Sequence, residues 1–201
     1  MMNEYNPDGK DIRFIDSHYK DLFRIPDGSC IQIEYPNETV VKPCKFIDEY
    51  HTQICNNVFH ICQFAEIMER NGASYMAEPE IMGEEAAWKA GRDRILAVQT
   101  CEDGYDYTLF DEHYNEIDGG QVDNPDMSMI EVRQDILESF NLTHRELRAM
   151  VYEDVMEQAF EVDKQAVASF NAKESVMDKL AEAAGKVISS SPSHKHKEAE
   201  R

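Results

Sequence analysis

Histidine and cysteine side chains, the usual protein ligands of zinc together with carboxylates, are concentrated in one short stretch of the chain. The four residues are His51, Cys55, His60 and Cys62. Three, four and one residues separate them in turn, and this spacing matches no standard zinc motif. The simpler interpretation is a set of side chains packed where a sheet meets a helix. We therefore predict no metal site, and a small metal-dependent enzyme built on these four residues remains an alternative.

A cysteine beside a histidine is the second arrangement that could do chemistry, because the base activates the thiol. The candidate thiols are Cys30, Cys44 and Cys101, and the candidate bases are His18, His51 and His113. Catalysis also needs hydrogen-bond contact within the pair and a third, orienting group, and nothing in the sequence places these residues so. We predict a non-enzymatic protein without catalytic residues. The five cysteines lack C-x-x-C spacing and are interpreted as reduced thiols packed as small apolar groups.

Carboxylates form the most concentrated set of charged side chains. Residues 102–163 hold 18 acidic and 3 basic side chains, a net charge of −15 in a chain whose total is −20. The candidate partner-binding residues are seven acids and one tyrosine: Asp103, Asp106, Asp111, Glu112, Tyr114, Glu116, Asp118 and Asp123. They do not fit a calcium loop, which needs ligands at alternate positions and a glutamate at the twelfth.

Three interpretations of these acids stay open. They could pair for acid–base chemistry, or they could form a solvated face that keeps the protein soluble. They could also imitate the charge of a nucleic-acid backbone and occupy the basic groove of a nuclease, with salt-sensitive binding. We take the third as the functional hypothesis.

Composition narrows the class of protein further. The 201 residues are 42% hydrophobic, which is enough for one domain or two small ones. The acidic excess excludes a nonspecific nucleic-acid binder, so we expect no direct contact with nucleic acid. No apolar run approaches the roughly 20 residues of a membrane helix. The polar first ten residues are unlike a secretory signal, and we predict a cytoplasmic location.

The elements that must position these side chains are short. Alternating apolar residues and the turn at Pro26–Gly28 predict a small antiparallel sheet of three to five strands over residues 11–58. Apolar residues at helical spacing predict a helix over Phe59–Arg70. Gly83–Ala90, which carries Trp88, is predicted to be a short helix.

A three-stranded meander is predicted next, from Ile95–Thr100 to Glu116–Val122 with a hairpin turn near Gly104. Two capping boxes, Ser128–Glu131 and Thr143–Glu146, predict helices, the second running to about residue 170. A last helix is predicted over 176–187, followed by a tail in which His194–Lys197 is interpreted as inert.

The predicted fold class is α+β: a small antiparallel sheet with a helix, then a three-stranded meander followed by C-terminal helices. Its parts are a flexible leader (1–10), an N-terminal α+β module (11–91), an acidic module of meander and helices (92–170), and a helix with a disordered tail (171–201).

Several stretches of the chain resemble a known family. The sequences FRIPDG (23–28), CKFIDEYH (44–51) and FHICQFAEIMER (59–70) resemble the large polyvalent protein-associated domains. DYTLFD (106–111) and DGGQVDNP (118–125) resemble a second module type from the same elements. These domains are small α+β modules of conjugative transposons and phages, mainly of Firmicutes.

The resemblance implies a biological context but no catalytic residues. Such domains accompany DNA transfer, and several of their neighbours counter host restriction or CRISPR immunity. We therefore predict an anti-defence accessory protein that binds a host or element protein through the acidic surface. In the most specific version of this hypothesis, the bound protein is a nuclease. A scaffold in conjugation or regulation is the alternative. No cofactor and no membrane partner are predicted, and the sequence leaves the oligomeric state open.

Overall fold

The computed structural model describes residues 10–169. By its contacts the chain divides into two compact units, Met1–Ala159 and Phe160–Arg201. The described part of the second unit, residues 160–169, is helical. The leader, apart from its last residue, the predicted helix over 176–187 and the His194–Lys197 segment lie outside the described residues. No helix in the described range is long and apolar enough to cross a membrane.

The first unit consists mainly of strands. In chain order its elements are β1 (Asp11–Ile15), β2 (Asp21–Pro26), β3 (Cys30–Tyr35), β4 (Glu38–Asp48), β5 (His51–Ile54), β6 (Asn57–His60), α1 (Ile61–Arg70), β7 (Ser74–Ala77), β8 (Glu85–Ala90), β9 (Arg94–Cys101), β10 (Gly104–Asp111), β11 (Glu116–Val122), α2 (Met129–Ser139), β12 (Leu147–Met150) and α3, residues 152–159.

Ten of these strands form one antiparallel sheet in the order β11-β10-β9-β8-β12-β4-β3-β7, with β5 beside β4 and β6 beside β5. β1 and β2 form a separate hairpin. The predicted fold, a small sheet with a helix and a separate meander, is therefore wrong: the meander strands and the N-terminal strands belong to the same large sheet. Strand β12 joins the two parts, because Leu147 pairs with Ala90 of β8 and with Val41 of β4.

The segment that links the two parts of the sheet, Leu147–Met150, was predicted to be helical. Thr143–Glu146 does not cap a helix, and the next four residues are strand β12. Helix α3 begins only at residue 152. Leu147, Val151 and Val155 do have helical spacing. Residues 147–150 nevertheless form a strand because the edges of β4 and β8 offer backbone hydrogen-bond partners, which a local sequence pattern does not reveal.

Strand β8 corrects a second helix prediction. Ala87, Trp88 and Ala90 are all buried in the strand Glu85–Ala90. Because neighbouring layers cover both faces of the sheet here, the strand lacks the alternation of a half-buried strand. Its alanines favour helix in isolation, and pairing with β9 and β12 overrides that preference.

Other local predictions are confirmed. α1 lies within the predicted helix, and β9, β10 and β11 are the strands of the predicted meander. The first capping box is present: the Glu131 backbone N–H donates to Ser128 Oγ at 3.3 Å, and the Ser128 N–H donates to the Glu131 carboxylate at 2.7 Å. Both bonds join residues within one turn, which is why the sequence reveals them.

The core has layers on both faces of the sheet. α2 packs Val132 and Ile136 on one face, against Leu96, Val98 and Leu109. On the other face, β1 and α1 cover β3 and β4 through Phe14 and Phe64. Still on that second face, α3 covers β8, β9 and β10 through Val155 and Ala159. The register places Lys89 and Arg148 on this second face, between its two covering layers.

Candidate partner-binding surface

The β10–β11 hairpin carries all eight predicted site residues, but it separates them. Asp103 precedes β10 and Asp123 follows β11, and both lie at one end because Tyr105 pairs with Val122. The turn of residues 111–116 is at the other end, about 25 Å away along the strands. Asp106 and Asp118 lie between them on opposite faces, since their partners Gln121 and Leu109 do. The eight residues therefore do not form one surface.

Four of the eight belong to the 111–116 turn. The carboxylate of Asp111 accepts hydrogen bonds from His113 N at 2.8 Å and from Asn115 N at 3.0 Å and Nδ2 at 2.8 Å. The hydrogen bond from the Asn115 side chain is the main reason that the pKa of Asp111 lies below its usual value. Tyr114 has a φ of 63° and packs against the core. These two residues shape the turn, and Glu112 and Glu116 are exposed beside it.

Asp118 is held by its neighbours on the other face of the hairpin. The hydroxyl of Tyr107 donates to Asp118 Oδ2 at 3.2 Å. The Tyr107 ring crosses the backbone at Gly120, where a Cβ would lie 3.2 Å from Cε1. This close approach explains the glycine in the strand and orders the Asp118 carboxylate.

Asp106 belongs to a polar row that crosses four strands. By register, Glu85, Gln99, Asp106 and Gln121 are consecutive partners on β8, β9, β10 and β11, so their side chains share one face. The Tyr152 hydroxyl, at the start of α3, donates to Gln99 Oε1 at 2.7 Å. The tertiary structure thereby places α3 beside this row.

Further acids join Asp106 there, and we call Glu84, Glu85, Asp106 and Glu153 the acidic patch. Desolvation, then the charge and hydrogen bond of Glu153, and then the charge of Glu84 raise the pKa of Glu85. Burial, then the charges of Glu85 and Asp106, raise the pKa of Tyr152. Within residues 10–169, none of the four patch carboxylates forms a salt bridge. Among the described residues the patch therefore holds like charges together with no cation paired to them.

Sequence reasoning missed three of these four acids. Glu84 and Glu85 were assigned to a helix, and Glu153 to a long helix with a different starting point. Only strand register and the position of α3 bring them to Asp106. The acidic excess of residues 102–163 includes Glu153 but neither Glu84 nor Glu85, and it does not indicate which side chains lie close together.

The histidine and cysteine set is only partly brought together. His51 and His60 are cross-strand partners with ring centroids 5.1 Å apart, and His51 Nδ1 lies 2.9 Å from Asp48 Oδ1. His60 Nδ1 accepts from Cys62 N and caps α1. Cys55 instead lines a cavity with Cys44. Among the described side chains, no group of three or more His, Cys, Asp or Glu residues is arranged to hold a metal.

Two of the three candidate nucleophiles, Cys30 and Cys44, are thiols whose surroundings favour the protonated form. Burial raises the pKa of Cys30 to about 12 and also raises the pKa values of Cys44 and Cys55. No thiol is hydrogen-bonded to a histidine in the described part of the chain. A protonated, buried thiol is a poor nucleophile, so these cysteines pack as apolar groups.

The sequence analysis also did not predict a buried ion pair between Arg133 and Glu78. Arg133 of α2 binds Glu78 through two parallel hydrogen bonds of 2.6 and 2.7 Å. Its guanidinium carbon lies 5.1 Å from the centroid of the Trp88 ring. Both charged side chains are almost inaccessible, at 2% and 8% exposure. The pair ties the segment after β7 to α2, and no local pattern indicates it.

The comparisons with known proteins give one match to a family model. Residues 82–161 match the model of large polyvalent protein-associated domain 16. The match confirms the resemblance to the large polyvalent protein-associated domains, and it includes the DYTLFD and DGGQVDNP sequences. The FRIPDG to FHICQFAEIMER region lies outside the matched residues. No curated protein and no solved structure shows significant similarity to the chain. The whole acidic patch lies within the matched segment.

Proposed function

We propose that the chain, which carries a match to large polyvalent protein-associated domain 16, is a non-enzymatic accessory protein of a mobile genetic element. In this proposal it acts in anti-defence by binding a host CRISPR or restriction nuclease. The contact is the acidic patch, which takes the place of nucleic acid in a basic groove. The observation that carries the proposal is the gathering of Glu85, Asp106 and Glu153 on one face, where no Lys or Arg of residues 10–169 forms a salt bridge with them.

The physical basis is complementary charge. Desolvation and then the neighbouring carboxylates Glu153 and Glu84 raise the pKa of Glu85, so like charges in the free patch repel each other, and a basic partner would relieve that repulsion on binding. Attraction of this kind speeds association and weakens as salt rises, because mobile ions screen it. The proposed contact contains four residues instead of the eight predicted from the sequence. Asp106, its central contact, is the one residue that the two sets share.

The first experiment is capture of partners from a host lysate with the tagged full chain at low and moderate salt. Retained proteins are identified by mass spectrometry and, where a nuclease is retained, its activity is measured with and without the chain. We expect a nucleic-acid-handling protein that is lost at moderate salt and is inhibited when bound. Capture of element-encoded proteins alone, without an effect on nucleases, would favour the conjugation scaffold instead.

Charge reversal localises the contact. The test variant is Glu85→Lys, Asp106→Lys and Glu153→Lys. The control variant, Glu49→Lys, Glu66→Lys and Glu69→Lys, makes the same change in net charge at exposed positions in the β4–β5 turn and on α1. We expect the first variant to lose the partner and the second to keep it. Equal loss in both would mean that only the total charge matters, and retention in both would remove the patch from the contact.

A further inference from the structure

A strip of charged residues crosses the second face of the sheet, where β4, β12 and β8 lie between the two covering layers. An open cleft of about 450 Å³ lies here, and we call it the basic cleft. It is lined by Lys89, Gly91, Arg92, Glu146 and Arg148. Three of the five lining residues are cationic and one is acidic, in a chain with twice as many acids as bases.

Arg148 and Glu146 form the ordered wall of the basic cleft. Glu146 accepts from Arg148 Nε at 3.1 Å and Nη2 at 3.0 Å, and from Lys42 Nζ at 2.8 Å. Glu38 lies 3.1 Å from Arg148 Nη1. Burial acts to raise the pKa of Glu146, but the hydrogen bonds and charges of Lys42 and Arg148 outweigh it and lower the pKa. These contacts use three of the five guanidinium N–H groups, so two remain available to a ligand.

The turn between β8 and β9 is anchored to the same wall. Gly91 N donates to the backbone oxygen of Glu146 at 2.8 Å. Gly91 has a φ of +68°, and a Cβ there would lie 3.1 Å from Arg145 Cδ, so the turn requires glycine. Arg145 and Arg94 both pair with Asp93 on this turn. The backbone that carries Arg92 is therefore held in place beside Arg148.

Lys89 and Arg92 supply further positive charge to the basic cleft. Lys89 is the cross-strand partner of Arg148, so the two side chains leave the same face of neighbouring strands. Neither Lys89 nor Arg92 forms a salt bridge within the described residues. Arg148 already has the carboxylates of Glu146 and Glu38 beside it, so the charge left without a counter-ion is that of Lys89 and Arg92, and an anion between the two strands would balance it.

We propose that the basic cleft binds a phosphate group of a small phosphorylated molecule through Lys89, Arg92 and Arg148. Guanidinium groups match the oxygens of phosphate in paired hydrogen bonds, and the ammonium of Lys89 adds a point charge. The lining has no aromatic side chain, so it offers no platform for a base and recognises the anion alone. The site is separate from the acidic patch and does not depend on the function proposed above.

The charge around the cleft favours a small anion over a long polyanion. Glu85 of the acidic patch lies on the same face of β8 as Lys89, about 13 Å away along the strand. A nucleic-acid strand that continued past the cleft in that direction would meet the patch, and like charges repel it. A ligand confined to the cleft avoids this repulsion.

The test is calorimetric titration of the full chain with inorganic pyrophosphate at low salt. The test variant is Lys89→Gln and Arg92→Gln. Its control is Lys20→Gln and Arg24→Gln, which removes two charges at exposed positions of the β1–β2 hairpin. We expect saturable binding of pyrophosphate to the natural sequence. The affinity should be at least about tenfold weaker in the test variant and should change by less than about twofold in the control.

Other results would overturn the proposal. Absence of saturable binding would do so, and so would an equal loss of affinity in test and control variants. A twelve-nucleotide single strand that binds more tightly than pyrophosphate, through the same residues, would reassign the cleft to nucleic acid. If the double variant fails to fold, Arg92→Glu alone decides the question, because this side chain is exposed on a turn and its replacement leaves the core intact.

Discussion

At the scale of single residues, the least expected feature is the pair of Arg133 and Glu78, two opposite charges buried together in an acidic protein. Arg133 Nε has no hydrogen-bond partner in the described structure, so the pair is not fully satisfied. A buried ion pair need not stabilise a fold relative to apolar residues, but breaking it leaves one charge buried without compensation. Arg133 and Glu78 therefore act as one unit.

Replacing one partner should cost far more stability than replacing both. We expect Glu78→Leu to lower the free energy of unfolding by about 3–5 kcal/mol, because Arg133 loses its counter-charge. The double variant Glu78→Leu with Arg133→Met should lose much less than the sum of the single losses. Urea denaturation of the single and double variants measures this coupling. Additive costs would show that the two side chains contribute independently.

The acidic patch predicts a pH effect at Glu85. Because the pKa of Glu85 is raised in the folded chain, ionised Glu85 opposes folding, and stability is lost as pH rises from the usual Glu value through the raised pKa. Glu85→Gln removes this charge. We expect its melting temperature to exceed that of the natural sequence at pH 7, with the advantage shrinking as the pH falls and Glu85 is protonated.

Thermal melts from pH 7 to pH 4 measure this difference, with Glu66→Gln as the control on the exposed side of α1. An advantage of equal size at every pH, or one shared by the control, would contradict the explanation that desolvation and the carboxylates of Glu153 and Glu84 raise the pKa of Glu85.

At the scale of elements, two similar sequence signals have different outcomes. Ser128–Glu131 and Thr143–Glu146 both fit the capping-box pattern, yet only the first caps a helix. The first is followed by a helix whose apolar side packs on the sheet through Val132 and Ile136. The second precedes a segment that fills the gap between two strands. The burial available to the following residues decides which pattern becomes a cap.

This difference is measurable by removing each hydroxyl. Ser128→Ala should lower the free energy of unfolding by about 1 kcal/mol, because the Glu131 N–H loses its acceptor. Thr143→Ala should change it by less than about 0.5 kcal/mol, since exposed Thr143 caps nothing. Chemical denaturation of both variants gives the comparison. An equal loss for Thr143→Ala would restore the second cap and contradict strand β12.

At the scale of the whole molecule, the shared sheet determines how the first compact unit should unfold. β12 is paired on both sides, and Leu147 is buried in the core that α2 covers. Strands from the predicted N-terminal module and from the acidic module thus share one ladder of hydrogen bonds. The division into two modules at residue 91 remains a prediction, and it concerns whether the two parts unfold separately.

Unfolding by denaturant tests this sharing. Fluorescence of Trp88, the only tryptophan, reports on β8, and far-UV circular dichroism reports on the whole chain. We expect the two transitions to coincide. Leu147→Ala should shift both midpoints together, at a cost of about 2–5 kcal/mol. A Trp88 transition that separates from the dichroism signal would indicate two independently folding modules.

The sequence by itself determined the elements whose causes lie within a few residues. The Ser128 cap, the apolar stripe of α1, the apolar run of β9 and the alternation of β10 depend on hydrogen bonds and periodicities between near neighbours. It also showed the acidic excess and the resemblance to the large polyvalent protein-associated domains. These properties require no knowledge of what each segment packs against.

Only the tertiary structure decided that β8 and β12 are strands, and which charged residues meet. Glu85, Asp106 and Glu153 come together because β8 and β10 flank β9 and because α3 packs on that face. Lys89 and Arg148 face each other because β12 pairs with β8. Strand order and register arise from contacts between distant segments, and a shift of one residue would move each side chain to the other face. The chemistry of both surfaces therefore depends on pairing that local pattern does not encode.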